Sequence, residues 1–277
     1  LYKGRYVQET ISAKPHPQNV SLIWFAPNHF RAWRASAYTA VGGHDSSLKI
    51  LDDQDLMCRL YLYGDFYHID KCLYIYRIHG ANTWLKYMEE IQQRTWDIYS
   101  KYIYKMAEKW SRGQGLALLD ICGGINTPTN YTSIDITGGD ITANLDNDWP
   151  IKTDSVGVLR AVDAIEHLKD PIHTMNQIHR VLAHGGFVFI SVPSTDGRGA
   201  FQDPTHVSYW NQNSFWYYTN KFYKEFARGR IKCSFQIRRL TTSYPNAFCE
   251  NNKIAYVQAD LLAIKNNTIR FHGSLEI

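Results

Sequence analysis

Short apolar runs of strand length fill the second part of the chain, and each is bounded by turn residues. These runs cover 116–121, 131–136, 156–162, 186–192, 231–240 and 253–265. A helical pattern at about 171–183 separates two of them. Strands that alternate with crossover segments predict an α/β fold with a mostly parallel sheet.

A long amphipathic helix is predicted before this region. Residues 85–110 place apolar side chains close to helical spacing and contain no Pro or Gly. The Gly-rich segment 111–115 then ends the helix. We therefore predict three parts: a first region at 1–84, a linker helix at 85–112 and a second domain at 113–277.

The composition narrows the class of protein. The chain is 44% hydrophobic and 20% charged, which excludes a disordered chain. Since no apolar run approaches about 18 residues, an integral membrane segment is excluded as well. A net charge of +4 gives no indication of nucleic-acid binding. The N-terminal ten residues show neither a signal-peptide pattern nor an initiator Met, so we expect the reading frame to start further upstream.

Cysteine and aromatic content add two expectations. The five cysteines are widely spaced and never form CxxC, which favours a reduced, cytoplasmic compartment over a disulfide framework or zinc ribbon. Aromatic residues reach 14%, and aromatic faces stack on sugar rings but also fill cores. Carbohydrate is therefore a mildly favoured ligand.

Two neighbouring predicted strands end in residues suited to a nucleoside. The run LALLDICGGIN places Asp120, Gly123 and Gly124 at the end of one strand, and Asp135 ends the next. Glycine at a strand end lets backbone N–H groups approach a ligand, and an acid on the next strand can hold a ribose diol. An ordinary turn would also explain the glycines, so the pair alone is weak support.

Four segments in order strengthen this interpretation: LLDICGG, the acid Asp135, AVDAIEHL at 161–168 and HRVLAHGGFVFISVP at 179–193. Together they resemble the class I S-adenosylmethionine-dependent methyltransferases, over residues 113–270 or so. The resemblance implies an α/β, Rossmann-like sheet with S-adenosylmethionine as cofactor. It also implies that KCSFQIRRL and KIAYVQADLLAIK supply the final antiparallel strands.

The same resemblance implies roles for single residues. The implied cofactor contacts are Asp120, Gly123 and Gly124 at the methionine part, Asp135 at the ribose hydroxyls, and Asn144 with Leu145 at the adenine. Asp163 ends the fourth strand, where it would face both cofactor and acceptor. Only 15 residues separate Asp120 from Asp135, so the first crossover is predicted to shorten to the loop GGINTPTN.

Asp163, Glu166 and His167 form D-x-x-E-H, which resembles the E-x-x-E-H of metal-dependent methyltransferases of quinone biosynthesis and small-RNA 3′ ends. These three are our candidate ligands for a divalent metal, because two carboxylates and an imidazole could hold one. The interpretation we favour over a metal is a helix start whose acids complement the dipole. Without metal, His167 or His206 is the candidate general base, since a near-neutral pKa suits removal of a hydroxyl proton.

The segment 197–220 is long and dense in aromatic residues. Its place after the fifth strand predicts that it covers the acceptor side of the cleft. Its DPTH motif, which includes His206, resembles methyltransferases associated with polysaccharide clusters, so a sugar hydroxyl is the preferred acceptor. Most of these rings are nevertheless expected to form a small satellite core.

The first region carries three further ordered motifs: YTAVGGHD at 38–45, DDQDLMCRL at 52–60 and YRIHGAN at 76–82. They resemble the acceptor-side half of inverting GT-A glycosyltransferases. The resemblance implies Asp53 as the base that takes the acceptor proton and His79 as a metal ligand. An N-terminal helix cap with acids that complement the helix dipole also explains DDQD. Because the nucleotide-binding half is not found upstream of these motifs, we predict no sugar transfer from this region alone.

Our first hypothesis is therefore an enzyme that methylates a sugar hydroxyl on a glycan and carries a truncated glycosyltransferase. The alternatives are glycosyl transfer as the main activity of a longer parent protein, and a degenerate scaffold module that binds no cofactor. The expected partner is a saccharide or glycan acceptor.

Overall fold

The structure is a computed structural model that describes residues 13–22, 30–75 and 86–265. The chain divides into two compact units, Leu1–Lys109 and Trp110–Ile277. Within the described ranges, no helix is both long and apolar enough to cross a membrane.

The described part of the first unit is helical. Its helices are α1 (Pro17–Val20), α2 (Ala35–Ala40), α3 (Asp52–Tyr63) and α4 (Met88–Gly113), of which α4 ends in the second unit. Apolar side chains of α3 and α4 form a small core that includes Leu56, Met57, Ile98 and Met106. The predicted long helix is thus present, and Gly115, in a left-handed conformation (φ 66°), follows its end.

The second unit contains one seven-stranded sheet with the order β3-β2-β1-β4-β5-β7-β6. The strands are β1 (Ala117–Ile121), β2 (Thr132–Asp135), β3 (Ile141–Thr142), β4 (Val156–Val162), β5 (Leu182–Pro193), β6 (Phe235–Ser243) and β7 (Tyr256–Ala263). The first five strands run parallel, and β7 lies antiparallel between β5 and β6. The expected α/β sheet and its closing antiparallel pair are confirmed.

The helices of the second unit are α5 (Pro171–Val181), α6 (Gly199–Gln202), α7 (Gln212–Thr219), α8 (Lys221–Glu225) and α9 (Ala247–Asn252). Helix α5 begins where its sequence dictates, since the Asp170 carboxylate accepts from the amides of Ile172 and His173, and Pro171 occupies the first helical position. The connection between β1 and β2 contains only a short 3-10 turn, Gly124–Asn126, so the shortened crossover is also observed.

The sequence interpretation was less accurate for two segments. The D-x-x-E-H motif does not open a helix: it forms a 3-10 turn, Ile165–His167, and α5 starts only after it. The segment 197–220 is not one loop but contains α6 and α7. Three of its seven aromatic rings, Trp210, Phe215 and Tyr218, are buried, and they join the main core instead of forming the expected satellite core.

Candidate active site

The carboxyl ends of β2, β1 and β4 lie side by side at one edge of the sheet. Neighbouring parallel pairs hold them in register: Leu119 is opposite both Thr132 of β2 and Leu159 of β4. Parallel strands end at the same edge, so the residues after these three strands collect there. In an open α/β sheet this edge is where ligands bind.

The turn after β1 requires glycine at one position for steric reasons. A Cβ on Gly123 would lie 1.8 Å from Oδ2 of Asp120 and 2.6 Å from Oγ1 of Thr127. Cys122 and Gly124, on either side, have positive φ angles of 54° and 50°. Such a conformation is costly for a residue other than glycine, as at Cys122, and often marks a functional turn.

Asp120 lies at this turn, but its carboxylate is already bound by other side chains of the protein. Its carboxylate is fully buried, and Nη1 of Arg160 lies 2.9 and 3.1 Å from its two oxygens. The hydroxyl of Thr127 donates to the same carboxylate at 2.7 Å. Asp120 therefore fixes the Gly123 turn, and its direct contact with a cofactor stays a prediction. Sequence reasoning missed Arg160, although it is the single charged residue in the buried run VGVLRAV.

Asp135 is available to a ligand. It ends β2 and is half-buried, and its Oδ1 accepts from the amide of Ile136 at 2.7 Å. Its Oδ2 has no hydrogen-bond partner among the residues described. One oxygen therefore orders the turn while the other can accept from a ligand hydroxyl.

The two residues predicted at the adenine lie in different environments. Asn144 is exposed, and its side-chain oxygen accepts from the amide of Asp146 at 2.9 Å. Leu145 is buried in the main core. Its carbonyl accepts from the indole N–H of Trp149. Asn144 can reach a ligand, whereas the side chain of Leu145 contributes to the core.

Asp163 follows β4 as an exposed residue with a positive φ of 49°. Its amide donates to the carbonyl of Ser191 at the end of β5, at 3.0 Å. Burial raises the pKa of Tyr256, and the negative charge of Asp163 adds to this effect. Strain at a strand end is typical of functional sites.

Glu166, His167 and His206 come together just beyond Asp163. Each offers one ligand atom, and these atoms all lie within 4.8 Å of one another. We call these three residues the Glu166 cluster. It differs from the predicted metal set because His206 takes the place of Asp163. The carbonyl of Glu166 accepts from the amides of Val207 (2.9 Å) and Ser208 (3.0 Å), which brings the segment carrying His206 to this turn.

Glu166 is an unusual carboxylate. Its side chain is 2% exposed, and neither oxygen accepts a hydrogen bond of normal geometry from the residues that the structure describes. Burial raises the pKa of Glu166 to about 8, and the negative charge of Asp163 adds to this effect. The rings of His167 and His206 meet edge to face at 5.0 Å. Perturbed titratable groups at a strand end are candidates for function.

An aromatic pocket of about 350 Å³ lies between the start of α5, helix α7 and residues 226–231, which follow α8. Tyr209 and Tyr217 line it and are 52% and 40% exposed. Buried Trp210 and Tyr218 form part of its wall. The pocket borders the Glu166 turn along the chain, because Tyr209 directly follows the two residues that donate to the Glu166 carbonyl.

The acids of the first unit have structural partners. Asp53 is half-exposed and pairs with Arg31 at 2.8 Å. Asp55 is buried and accepts from Tyr102 (2.6 Å), Arg59 (2.7 Å) and Lys101 (3.1 Å). Burial alone would raise the pKa of Asp55, but these hydrogen bonds outweigh it and the pKa is lowered.

Two predictions for the first unit have different outcomes. DDQD does open a helix, since Asp52, Asp53 and Asp55 lie in the first turn of α3. There they complement the helix dipole, as the alternative interpretation expects, but none of them caps the helix, because the N-cap residue is Leu51 and it makes no side-chain cap hydrogen bond. His79 and the motif YRIHGAN lie outside the described residues. The resemblance to glycosyltransferases stays a prediction.

The comparisons with known proteins identify the family. The family model described as a methyltransferase domain matches residues 83–241, which is more than half of the chain. The chain belongs to this family of methyltransferase domains. A search of curated proteins found no match.

Several solved structures are similar in part. One is the complex of a putative methyltransferase with the Trm112 methyltransferase activator from Haloferax volcanii. It is 12% identical with a TM-score of 0.38, and the match covers 54% of this chain and 83% of the other. A second is an S-adenosylmethionine-dependent methyltransferase from Mesorhizobium loti. It is 14% identical with a TM-score of 0.36, and the match covers 53% of this chain and 91% of the other. A third is phosphoethanolamine N-methyltransferase 2 of Haemonchus contortus in complex with S-adenosyl-L-methionine. It is 12% identical with a TM-score of 0.35, and the match covers 55% of this chain and 49% of the other. At such low identities and TM-scores, these structures support no further conclusion about this chain.

Proposed function

We propose that the second unit binds S-adenosylmethionine and transfers its methyl group to a hydroxyl of a saccharide. The observation that carries the proposal is the edge formed by β2, β1 and β4. There a turn that tolerates only glycine at Gly123 lies next to the available carboxylate of Asp135. The family of the chain supports methyl transfer as the reaction.

Two features of this edge suit the cofactor, the Gly123 turn and Asp135, whereas Asp120 is not available to bind it. The turn at Gly123 leaves backbone close to the ligand edge, and Oδ2 of Asp135 can accept from a ribose hydroxyl. Asp120, by contrast, is neutralised by Arg160. We therefore assign the ribose contact to Asp135 and an indirect role, through the shape of the turn, to Asp120.

When bound, S-adenosylmethionine supplies a methyl carbon on a positively charged sulfur, so transfer breaks the C–S bond, leaves its electron pair on sulfur and forms an O–C bond. The protein has to hold the acceptor oxygen in line and remove its proton. Two side chains beyond β4 can take up that proton: the exposed carboxylate of Asp163 and the imidazole of His167.

The aromatic pocket supports a saccharide as acceptor. Tyr209 and Tyr217 present exposed rings, and sugar C–H faces stack on such rings. The pocket borders the turn that carries His167, so a sugar bound there can direct a hydroxyl toward the reacting edge. The resemblance of residues 1–84 to glycosyltransferases agrees with an acceptor made of sugar.

The proposal is tested by incubating the full chain with methyl-labelled S-adenosylmethionine and a panel of glycans, followed by mass spectrometry of the products. We expect label on a sugar hydroxyl. Tyr217→Ala should raise KM for the glycan by about 10-fold, the loss expected for one stacking contact of about 1.4 kcal/mol. The matched control is Tyr244→Ala, an equally exposed tyrosine (41%) that does not line the pocket. Equal effects of both variants, or label on nitrogen only, would contradict the saccharide assignment.

A second candidate function is a scaffold module that binds no cofactor. Two observations favour it: the acid at the end of β1 is occupied by Arg160, and a strained cysteine, Cys122, opens the glycine turn. This candidate predicts that neither S-adenosylmethionine nor its product binds, so a binding measurement separates the two functions.

A further inference from the structure

The buried carboxyl group of Glu166 is the member of the Glu166 cluster that most needs a partner. Glu166 is almost fully buried, and within the described part of the chain neither carboxylate oxygen has a hydrogen-bond partner of normal geometry. An ionised carboxylate buried without a partner costs several kcal/mol, so such a group is neutralised by a proton, paired with a cation or bound to a metal ion. The nearest functional groups, on His167 and His206, complete a set whose ligand atoms lie within 4.8 Å.

Backbone contacts fix the tautomers of both imidazoles. Nδ1 of His206 lies 3.0 Å from the carbonyl of Ala200, and Nδ1 of His167 lies 3.3 Å from the carbonyl of Thr205. A carbonyl only accepts, so each Nδ1 carries the hydrogen and each neutral ring keeps its lone pair on Nε2. A ring N–H given to a backbone carbonyl is the usual outer contact of a metal-bound histidine.

A carboxylate network reinforces the tautomer of His167. The hydroxyl of Thr205 donates to Oδ1 of Asp203 at 2.6 Å, so its oxygen is left to accept from Nδ1 of His167 at 3.2 Å. The other oxygen of Asp203, Oδ2, lies 3.9 Å from Nε2 of His206. The cluster thus offers two imidazole lone pairs and one unpaired carboxylate, with a further acid beside it.

We propose that Glu166, His167 and His206 bind one divalent cation of the first transition row. Two imidazoles and one carboxylate suit Mn²⁺, Fe²⁺, Co²⁺ or Zn²⁺ better than Mg²⁺ or Ca²⁺, which prefer oxygen ligands alone. Three protein ligands leave coordination positions open. On the proposed methyl transfer, these positions take the acceptor hydroxyl and lower its pKa. His167 is then a ligand, which leaves Asp163 as the proton acceptor.

Co²⁺ is the probe, because its visible absorption reports coordination directly and needs no catalytic activity. The full chain, first treated with a chelator, is titrated with Co²⁺. We expect visible bands that saturate at one Co²⁺ per chain. Glu166→Gln and His206→Gln should each weaken binding by at least about 100-fold, beyond the loss typical of an outer contact.

The matched control is His173→Gln, a histidine of α5 whose Nε2 contacts the carbonyl of Asn147 and which is not in the cluster. It should bind Co²⁺ like the unaltered chain. Circular dichroism confirms the fold of each variant, and two ligand variants keep the test valid if one of them unfolds. No saturable bands in the unaltered chain, or unchanged binding by both ligand variants, would overturn the proposal. Cofactor is absent from this titration, so its outcome is independent of whether S-adenosylmethionine binds.

Discussion

Replacement of Gly123 with alanine tests whether the turn after β1 is built around Asp120. The backbone at Gly123 has an ordinary φ of −76°, so alanine causes no backbone strain there. The problem is purely steric, because the new Cβ would lie 1.8 Å from Oδ2 of Asp120. Either the carboxylate or the turn has to shift by more than an ångström.

The size of the effect follows from what holds Asp120. Arg160 and Thr127 bind its carboxylate, which is fully buried and has no room to move freely. Overpacking costs about 1–3 kcal/mol, and breaking a buried ion pair costs about 3–5 kcal/mol. A partial loss of both contacts gives an expected decrease of about 2–4 kcal/mol in the free energy of unfolding. For a unit of this size, the melting temperature should fall by roughly 5–15 °C.

Gly124→Ala is the matched control for this experiment. Gly124 has a positive φ of 50°, but a Cβ there meets no atom within 4 Å. Its cost should be only the backbone strain, about 1–2 kcal/mol. Urea denaturation followed by circular dichroism measures both variants. If Gly124→Ala is as destabilising as Gly123→Ala, the steric account of the turn is wrong.

Three further predictions concern other parts of the two units. Arg160→Met should lower the free energy of unfolding by about 3–5 kcal/mol in urea denaturation, since it leaves the Asp120 carboxylate buried and unpaired, and a loss under 1 kcal/mol would contradict this. Tyr102→Phe removes a donor to buried Asp55 and should destabilise the first unit by about 1.5–3 kcal/mol; no shift of the urea midpoint would show that Lys101 and Arg59 suffice. Burial lowers the pKa of His179 to about 4 from 6.5, so the unfolded chain takes up a proton that the folded chain lacks and stability falls as the pH drops from 6.5 to 4. His179→Gln should flatten this part of the stability–pH curve by up to about 3 kcal/mol, and a curve with unchanged slope would refute the assignment.

The sheet of the second unit could be predicted because its strands are buried runs with clear ends. The pattern predicts a strand at VGVLRAV, 156–162, which is the observed range of β4, since valine and leucine fill a strand covered on both faces. The boundary of α5 with β5 was less accurate. The helix ends at Val181 and the strand starts at the next residue, Leu182, whereas the sequence pattern indicates a helix to about 183 and a strand only from 186.

The candidate site was predictable only where it depends on strand ends. The positions of Gly123 and Asp135 follow from strand order, which motif order indicates. The meeting of Glu166 with His206 does not, because it depends on a tertiary contact between the Glu166 carbonyl and the amides of Val207 and Ser208. Forty residues of chain separate the two side chains, and no local pattern encodes that contact.

The binding of S-adenosylhomocysteine, the demethylated product, measured by calorimetry, tests most directly whether the carboxyl ends of β1 and β2 form a cofactor site. We expect saturable binding by the full chain at one site. Asp135→Asn keeps the Oδ1 contact with Ile136 but removes the charge, and should weaken binding by about 10- to 150-fold. Asp97→Asn, at an exposed acid of α4, should bind like the unaltered chain. No heat of binding at millimolar ligand, or equal affinities for the Asp135 and Asp97 variants, would contradict a cofactor site between β1 and β2.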